Sequence, residues 1–433
     1  MTIDSIYQIF LKCQSVTTDS RNCPKNSLFI ALKGESFDGN LFAAQALEKG
    51  CSYVIVDNPE YYVEKDQRYL LVDDTLKALQ ELATHHRQQI NTPIIGITGT
   101  NGKTTTKELI ACALSTTYNI LYTQGNLNNH IGVPLTLLQL KKEHEIAVIE
   151  MGANHPGEIA FLAQIAKPNY GLITNVGKAH LEGFGSFEGV IKTKGELYDF
   201  LRLDPQSVVF IHHENKHLET IAKQLTLIEY GTHSSLYING GIANNNSPFL
   251  SLIWKKGERG NIQTINSRLI GDYNLPNVLA AIAIATYFNI SPEKINQALE
   301  NYTPKNNRSQ LKVTKSNSLI IDAYNANPTS MMAALENFKK IDTPHKMLIL
   351  GDMKELGTES LTEHQKIVDY LTKCQFEKIW LVGEQFSSVN HSFRSYQSAQ
   401  DIIEELKQEP IEGHTILIKG SNSTKLYTIV DYL

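Results

Sequence analysis

Residues 93–106 read PIIGITGTNGKTTT. Ile94, Ile95 and Ile97 form a short apolar run that predicts a buried strand, and Lys107–Thr117 (KELIACALSTT) carries apolar residues at helical spacing. A glycine loop joining a strand to a helix is a way to hold a phosphate. The backbone N–H groups of Gly99, Thr100, Asn101 and Gly102 can converge on phosphate oxygens, the helix N-terminus adds its positive end, and Lys103 supplies a point charge. Thr104 then offers its hydroxyl to Mg²⁺. The usual nucleotide loop has a first glycine five residues before the second, and Ile97 stands there, so the match is to a variant, TGTNGKT. With a strand before it and a helix after it, the loop predicts ATP-type phosphate binding.

A chain of 433 residues is too long for one hydrophobic core and predicts about three domains. With 42% hydrophobic and 20% charged residues the composition is that of an ordinary globular protein. Forty basic against forty-five acidic side chains give −5, so no basic field argues for nucleic acid. Cys13, Cys23, Cys51, Cys112 and Cys374 lie far apart without a C-x-x-C, which favours reduced thiols and a cytoplasmic protein over disulfides or zinc. The first residues, MTIDSIYQIFLK, lack a basic start followed by an apolar core and do not read as a signal peptide. The longest apolar stretch, Val278–Phe288, is too short to span a bilayer.

Three α/β units are expected along the chain. Residues 1–92 are small, with strand-like Leu28–Leu32 and Tyr53–Val56, helix-like Leu41–Lys49 and Thr75–Gln89, and two polar clusters, Asp19-Ser20-Arg21 and Lys33 to Gly39 (KGESFDG). On pattern alone those clusters fit a turn and a solvated loop. Residues 93–302 open with the phosphate loop and continue with Ile146–Ile149, Gly171–Val176 and Val208–Ile211 between helical patterns, which predicts a doubly wound, mostly parallel sheet. From about Ser235 to Ile270 short alternating segments predict an antiparallel appendage with a mobile loop at Asn244–Asn246, and helices near Asn274–Phe288 and Pro292–Asn301 close the unit. Residues 303–433 alternate again, with strands at Leu319–Ile321, Met347–Leu350, Ile379–Val382 and Ile416–Ile418 and helices near 329–340, 361–374 and 398–408, a Rossmann-like pattern.

Polar residues cluster just after the apolar runs: Glu150, Asn175, Asp322, Asp352 and Lys419-Gly420-Ser421. Ligands of open parallel sheets bind beyond the carboxyl ends of the strands, so these positions predict two facing crests with a cleft between them. Glu150 beside a phosphate loop suits Mg²⁺, although a strand-end carboxylate also serves as a cap. His180, in NVGKAHLEGFGS, fits a hydrogen-bonded structural residue as well as a ligand. Pattern does not single out Lys194 within Ile191–Glu196, which reads as a solvated helix face.

Nine motifs together resemble the Mur ligases of bacterial cell-wall synthesis, which share a fold with folylpolyglutamate synthetases. They are TGTNGKTTT (98–106), GNLNNHIGVPLTLL (125–138), IEMGANHPGEI (149–159), TNVGKAHLEGFGS (174–186), KGE (194–196), GDYNLPNVLAA (271–281), DAYNANPTSM (322–331), GDMKELG (351–357) and KGSNS (419–423). The resemblance covers essentially the whole chain. DAYNANPTSM and GDMKELG look like the branch that joins D-alanyl-D-alanine to UDP-N-acetylmuramoyl-tripeptide. What the resemblance implies is an ATP- and Mg²⁺-dependent amide ligase working through an acyl phosphate on small-molecule substrates, as a monomer. Lys103, Glu150, His180 and Lys194 become its catalytic residues, with Thr104, Glu150, His180 and Lys194 (as a carbamate formed with CO₂) holding metal. Gly99 to Thr105, Asn274, Asn277, Arg308 and Asp322 become ATP contacts. Ser20 and Arg21 become uridine-nucleotide contacts, and Asn126, Asn128, Asn129, Tyr324, Asn325 and Asn327 position substrate. The sequence departs from its relatives at Asn40 and Tyr273, where many have histidine, and at Asp322-Ala323-Tyr324, where several carry a doubled aspartate. A sister ligase for another amine, or a nucleotide-binding scaffold without catalysis, are the rival readings.

Overall fold

A computed structural model describes residues 1–243, 248–305 and 307–433; the loop expected at Asn244–Asn246 lies outside them. The strand Ile94–Thr98 is wholly buried at the heart of a nine-stranded sheet, between Tyr170–Ile173 and Ile146–Glu150. Ile120–Tyr122 lies beyond Ile146–Glu150, while Val208–His212 and Thr226–Gly231 extend the other side. All these neighbours are parallel, so their side chains are covered by helices on both faces and their carboxyl ends form one crest. The appendage continues this same sheet: Ile238–Ile242 pairs parallel with Thr226–Gly231, and only the reversed strand Phe249–Lys256 pairs antiparallel, with Ile238–Ile242 on one side and Gln263–Ile270 on the other.

The helix Leu275–Tyr287 is apolar all round and sandwiched, with Val278 to Ala285 no more than 1% exposed, partly against the phosphate-loop helix Lys103–Leu114. That accounts for the long apolar run without a bilayer. Among the described residues no helix is long and apolar enough to cross a membrane.

A second, six-stranded sheet is built on Ser318–Asp322, Thr415–Lys419, Lys346–Gly351, Lys378–Val382 and Arg394–Tyr396, parallel throughout, with Gln310–Val313 antiparallel on its edge. Asp322 and Lys419 are register partners at its carboxyl crest. The N-terminal sheet has four parallel strands, Ser15–Thr17, Ser27–Ile30, Tyr53–Val56 and Tyr69–Leu71, in chain order. Its helix Thr75–Gln89 packs on Gly132–Leu137 and Glu158–Ala166 of the central unit. Arg87, buried there, donates to the carbonyls of Ala166 (3.0 Å), Lys167 (3.2 Å) and Ile90 (2.5 Å). A buried guanidinium so fully partnered fixes how the first unit sits on the second.

Candidate active site

The phosphate loop begins where Thr98 leaves the central strand. Gly99 (φ 140°) and Gly102 (φ 77°) sit in backbone regions that disfavour side chains, and a Cβ at Gly102 would lie 2.7 Å from Asn277 Oδ1. Glycine there answers both the turn and the close approach of the apolar helix. Asn175 clamps the loop from the next strand end: its Oδ1 accepts from the Asn101 N–H at 3.0 Å, and its Nδ2 donates to the Asn101 carbonyl at 3.0 Å. Thr174 Oγ1 donates to the same carbonyl at 2.6 Å.

Lys103 is the first residue of the helix, and its Nζ folds back to donate to the carbonyls of Gly99 (2.8 Å) and Thr100 (3.2 Å). Burial, and then the charge of Arg308, press its ammonium below the usual lysine range, against the pull of Glu150. Glu150 ends its strand 1% exposed. Its Oε1 accepts from Thr104 Oγ1 (3.1 Å) and Asn128 Nδ2 (2.8 Å); its Oε2 is buried without a hydrogen-bond partner, with Lys107 Nζ 3.6 Å away. Lys107 is itself fully buried, and burial lowers its pKa despite Glu150.

His180 and Lys194 flank this wall. His180 adopts a left-handed backbone (φ 51°), and its buried Nδ1 lies against the carboxylate of Glu355 from the C-terminal unit, in close contact but out of hydrogen-bond alignment. The same contact holds the Glu355 carboxyl below the usual range. Lys194, on the helix Phe187–Leu201, is no solvated residue: it is 2% exposed, its Nζ donates to the Ala153 carbonyl at 3.3 Å, and it lies 5.0 Å from the Phe184 ring centroid. Burial first, then the nearby Lys103 charge, push it down to about 7.

The facing wall is the C-terminal crest. Arg308 stacks on Tyr324 at 3.7 Å, with its Nε buried and without a hydrogen-bond partner. Lys419 Nζ donates to Asp322 Oδ2 at 2.5 Å and to the Asn325 carbonyl at 3.3 Å. The walls enclose a cleft of about 810 Å³. Lys103, Thr104, Asn128, Glu150, His180, Asn274, Asn277, Arg308, Asp322, Tyr324 and Asn325 all line it.

The two walls also touch. Asn101 and Asn327 exchange amide hydrogen bonds (Asn327 Nδ2 to Asn101 Oδ1, 2.7 Å; Asn101 Nδ2 to Asn327 Oδ1, 3.4 Å), and Lys178 Nζ meets Glu363 Oε1 at 3.2 Å. Asn101 and Asn327, expected on ATP and on substrate, are here each other's partners. Asn129, expected to position substrate, lines the cleft while its Oδ1 accepts from the Ile131 and Gly132 N–H groups at 3.2 and 2.9 Å.

Ser20 and Arg21 do not line the cleft. They sit on the N-terminal unit, where Arg21 is exposed and paired with Asp19 at 2.9 Å. The departing Asn40 is buried and pins its own turn: its Nδ2 donates to Asp38 (2.7 Å) and Asp57 (2.8 Å), and its Oδ1 accepts from the Asp57 N–H at 3.0 Å. Tyr273, the other departure, lines the cleft with its hydroxyl 2.9 Å from Ser309 Oγ, and burial raises its pKa. Thr174, His212 and Glu355 also line the cleft, and Lys107, Lys178 and Glu363 pair beside it, though pattern singled out none of them. Thr174 and Lys178 lie inside TNVGKAHLEGFGS and Glu355 inside GDMKELG, so motifs carried a signal for these three, while Lys107, His212 and Glu363 had none.

A phosphate loop facing a second nucleotide-fold crest across one cleft defines an ATP-type ligase architecture. The chain belongs to the Mur ligase family: residues 12–87 match the Mur ligase family, catalytic domain; 97–285 match the Mur ligase middle domain; and 307–422 match the Mur ligase, glutamate ligase domain. It is 35% identical over 430 residues to the UDP-N-acetylmuramoyl-tripeptide–D-alanyl-D-alanine ligase of Bacillus subtilis, covering 96% of this chain and 92% of that one. The enzyme of the same name from Haemophilus influenzae is 34% identical, with 97% and 93% covered. The crystal structure of MurF from Acinetobacter baumannii superposes with a TM-score of 0.85 at 30% identity, covering 99% and 98%.

Proposed function

We infer that this chain is the ligase that joins D-alanyl-D-alanine to UDP-N-acetylmuramoyl-tripeptide with ATP, making the UDP-muramoyl-pentapeptide precursor of peptidoglycan and releasing ADP and phosphate. The observation that carries the chemistry is the single cleft that sets Lys103 and Glu150 opposite Arg308, Asp322 and Lys419. A carboxylate is a poor acyl donor until one of its oxygens becomes a phosphate leaving group. In the first step a terminal carboxylate oxygen of the tripeptide attacks the γ-phosphorus of ATP and the bond to ADP breaks. In the second, the dipeptide amine adds to the acyl phosphate carbon, loses a proton, and phosphate departs. No enzyme nucleophile is required, so the work of the chain is positioning and charge neutralisation.

The loop N–H groups cradle the phosphates, and Lys103 exchanges its two carbonyl partners for phosphate oxygens. Buried Glu150 Oε2, without a hydrogen-bond partner and near the Thr104 hydroxyl that bonds Oε1, fits a hard, oxygen-liganded cation. Among the described residues no three His, Cys, Asp or Glu side chains converge as a protein-only metal cage. Thr104 and Glu150 would hold Mg²⁺, with His180 and carbamylated Lys194 serving a second ion; bound there, Mg²⁺ offsets the charge of the transferring phosphoryl group. A lysine held near 7 supplies the neutral amine that adds to CO₂.

We assign uridine-nucleotide binding to residues 1–92, through Ser20 and Arg21; ATP binding to 93–302; and acceptor positioning to 303–433. The enzyme works as a cytoplasmic monomer in this reading. The test is phosphate release with ATP, Mg²⁺ and the UDP-tripeptide, with and without D-Ala-D-Ala, and the product mass. Dipeptide-dependent release with a pentapeptide product is expected; turnover with a single amino acid instead would move the chain to a sister activity.

A further inference from the structure

The motif GDMKELG (351–357) is held more firmly than a surface loop needs to be. The Met353 N–H donates to His364 Nε2 at 3.0 Å, and His364 is fully buried with its Nδ1 2.8 Å from the Ser360 carbonyl oxygen. The Lys354 N–H donates to Ser421 Oγ at 3.1 Å. Asp352, 1% exposed, accepts from the Gln385 and Phe386 N–H groups at 3.1 and 3.0 Å. Met353 and Leu356 are buried on either side of Lys354 and Glu355. Beyond them Gly357 abuts Glu182, at the turn that follows His180; a Cβ on that glycine would sit 3.4 Å from the Glu182 Cβ.

Between these anchors Glu355 stands in the left-handed region (φ 63°), and it meets His180, also left-handed (φ 51°). Non-glycine residues in that region are strained, and strain of this kind collects at functional sites. A half-exposed polar contact stabilises a fold little, so stability alone does not account for two strained backbones that bring these side chains together. The pair crosses the cleft: His180 follows the central strand Tyr170–Ile173, whereas Glu355 follows the C-terminal strand Lys346–Gly351.

We propose that Glu355 is a positioning residue: its carboxylate accepts the Nδ1–H of His180, fixes the imidazole's tautomer and rotation, and leaves the Nε2 lone pair for the site. Because donor and acceptor belong to facing crests, the histidine is set only when the two crests have closed. A partner on the far nitrogen is the usual means of orienting a working imidazole. The inference rests on the ligase reading only in giving His180 a task in the reaction.

The test uses the full chain labelled with ¹⁵N-histidine, and reads the His180 tautomer from long-range ¹H–¹⁵N correlations, with and without a non-hydrolysable ATP analogue. His180→Gln identifies the signal. The expected wild-type signal is Nδ1-protonated in at least one state, shifting towards Nε2-protonated in Glu355→Ala and returning in Glu355→Gln, whose amide oxygen still accepts. In turnover, Glu355→Ala lowers kcat roughly 10-fold or more, the size of effect seen when such partners are removed. KM for ATP stays within about twofold if binding is untouched. Glu355→Gln recovers most of the rate, and Glu355→Ala adds nothing to His180→Gln. A tautomer unchanged by Glu355→Ala in both states overturns the proposal, as does a tautomer shift without loss of kcat. Glu355→Ser replaces the alanine variant should that one fail to fold. The tautomer readout needs no substrate, so it stands whichever amine the enzyme proves to ligate.

Discussion

Three lysines within the central unit have lost most of their water, and each reports a different use of charge. Lys107 is a fixed counter-charge behind Glu150, Lys103 is parked on loop carbonyls, and Lys194 is held near neutrality. Lys103→Ala removes the only one of the three that lies on the phosphate loop. We expect a fall in kcat of at least about 100-fold, as for loss of a preorganised charge at a reacting centre, with the circular dichroism spectrum unchanged. Lys194 makes a prediction about stability. Its folded pKa is lowered to about 7, so between pH 7 and the ordinary lysine range the unfolded chain holds a proton that the folded chain has lost. In CO₂-free buffer, stability should therefore rise with pH across that window, the cost of burying the ammonium being fully felt below it. Lys194→Met should flatten this rise when urea midpoints are compared from pH 6 to 10. An equally steep rise in the variant would place the titration elsewhere.

Elements bring these residues together, and the reciprocal amide pair Asn101–Asn327 shows how. Asn101 belongs to the phosphate loop, while Asn327 caps the helix Pro328–Lys340 in a capping box with Ser330. Each asparagine thus answers to its own element and to the facing one. Replacing either by Ala should lower kcat, and the two effects should be non-additive by about 0.5–3 kcal/mol in a double-mutant cycle, as for side chains in contact. Additive losses would mean that the pair does not couple the walls. The cap was legible in NANPTS, because Asn before Pro is a helix start, but its partner 226 positions away was not. Regular elements followed their patterns closely: Thr75–Gln89 and Pro292–Asn301 run as periodicity predicts. The strands that escaped notice include Ser15–Thr17, Tyr69–Leu71, Ile120–Tyr122 and Arg394–Tyr396, all three residues long and all at sheet edges, where one flank needs no apolar cover. Lys194 was hidden for a related reason. Its neighbours Lys192 and Glu196 make the segment look solvated, and only the packing of Phe184 and the Ala153 carbonyl above it takes its head out of water.

At the scale of the whole molecule, two carboxyl crests face one another and close through Asn101–Asn327, His180–Glu355 and Lys178–Glu363. The crests were legible because polar residues follow apolar runs in both units; the contacts between them were not, since they join side chains far apart in the chain. This arrangement gives one cavity lined by the phosphate loop on one side and the second crest on the other, and an acyl-phosphate ligase needs one such space for ATP, a carboxylate and then an amine. Closure also excludes water from an intermediate that hydrolyses readily. The most direct measurement follows the oxygen. With ¹⁸O in the terminal carboxylate of the UDP-tripeptide, the account predicts one ¹⁸O in each phosphate released during dipeptide-dependent turnover. Release of phosphate free of ¹⁸O would mean that the carboxylate never became the acyl phosphate, and would contradict the mechanism assigned to the cleft.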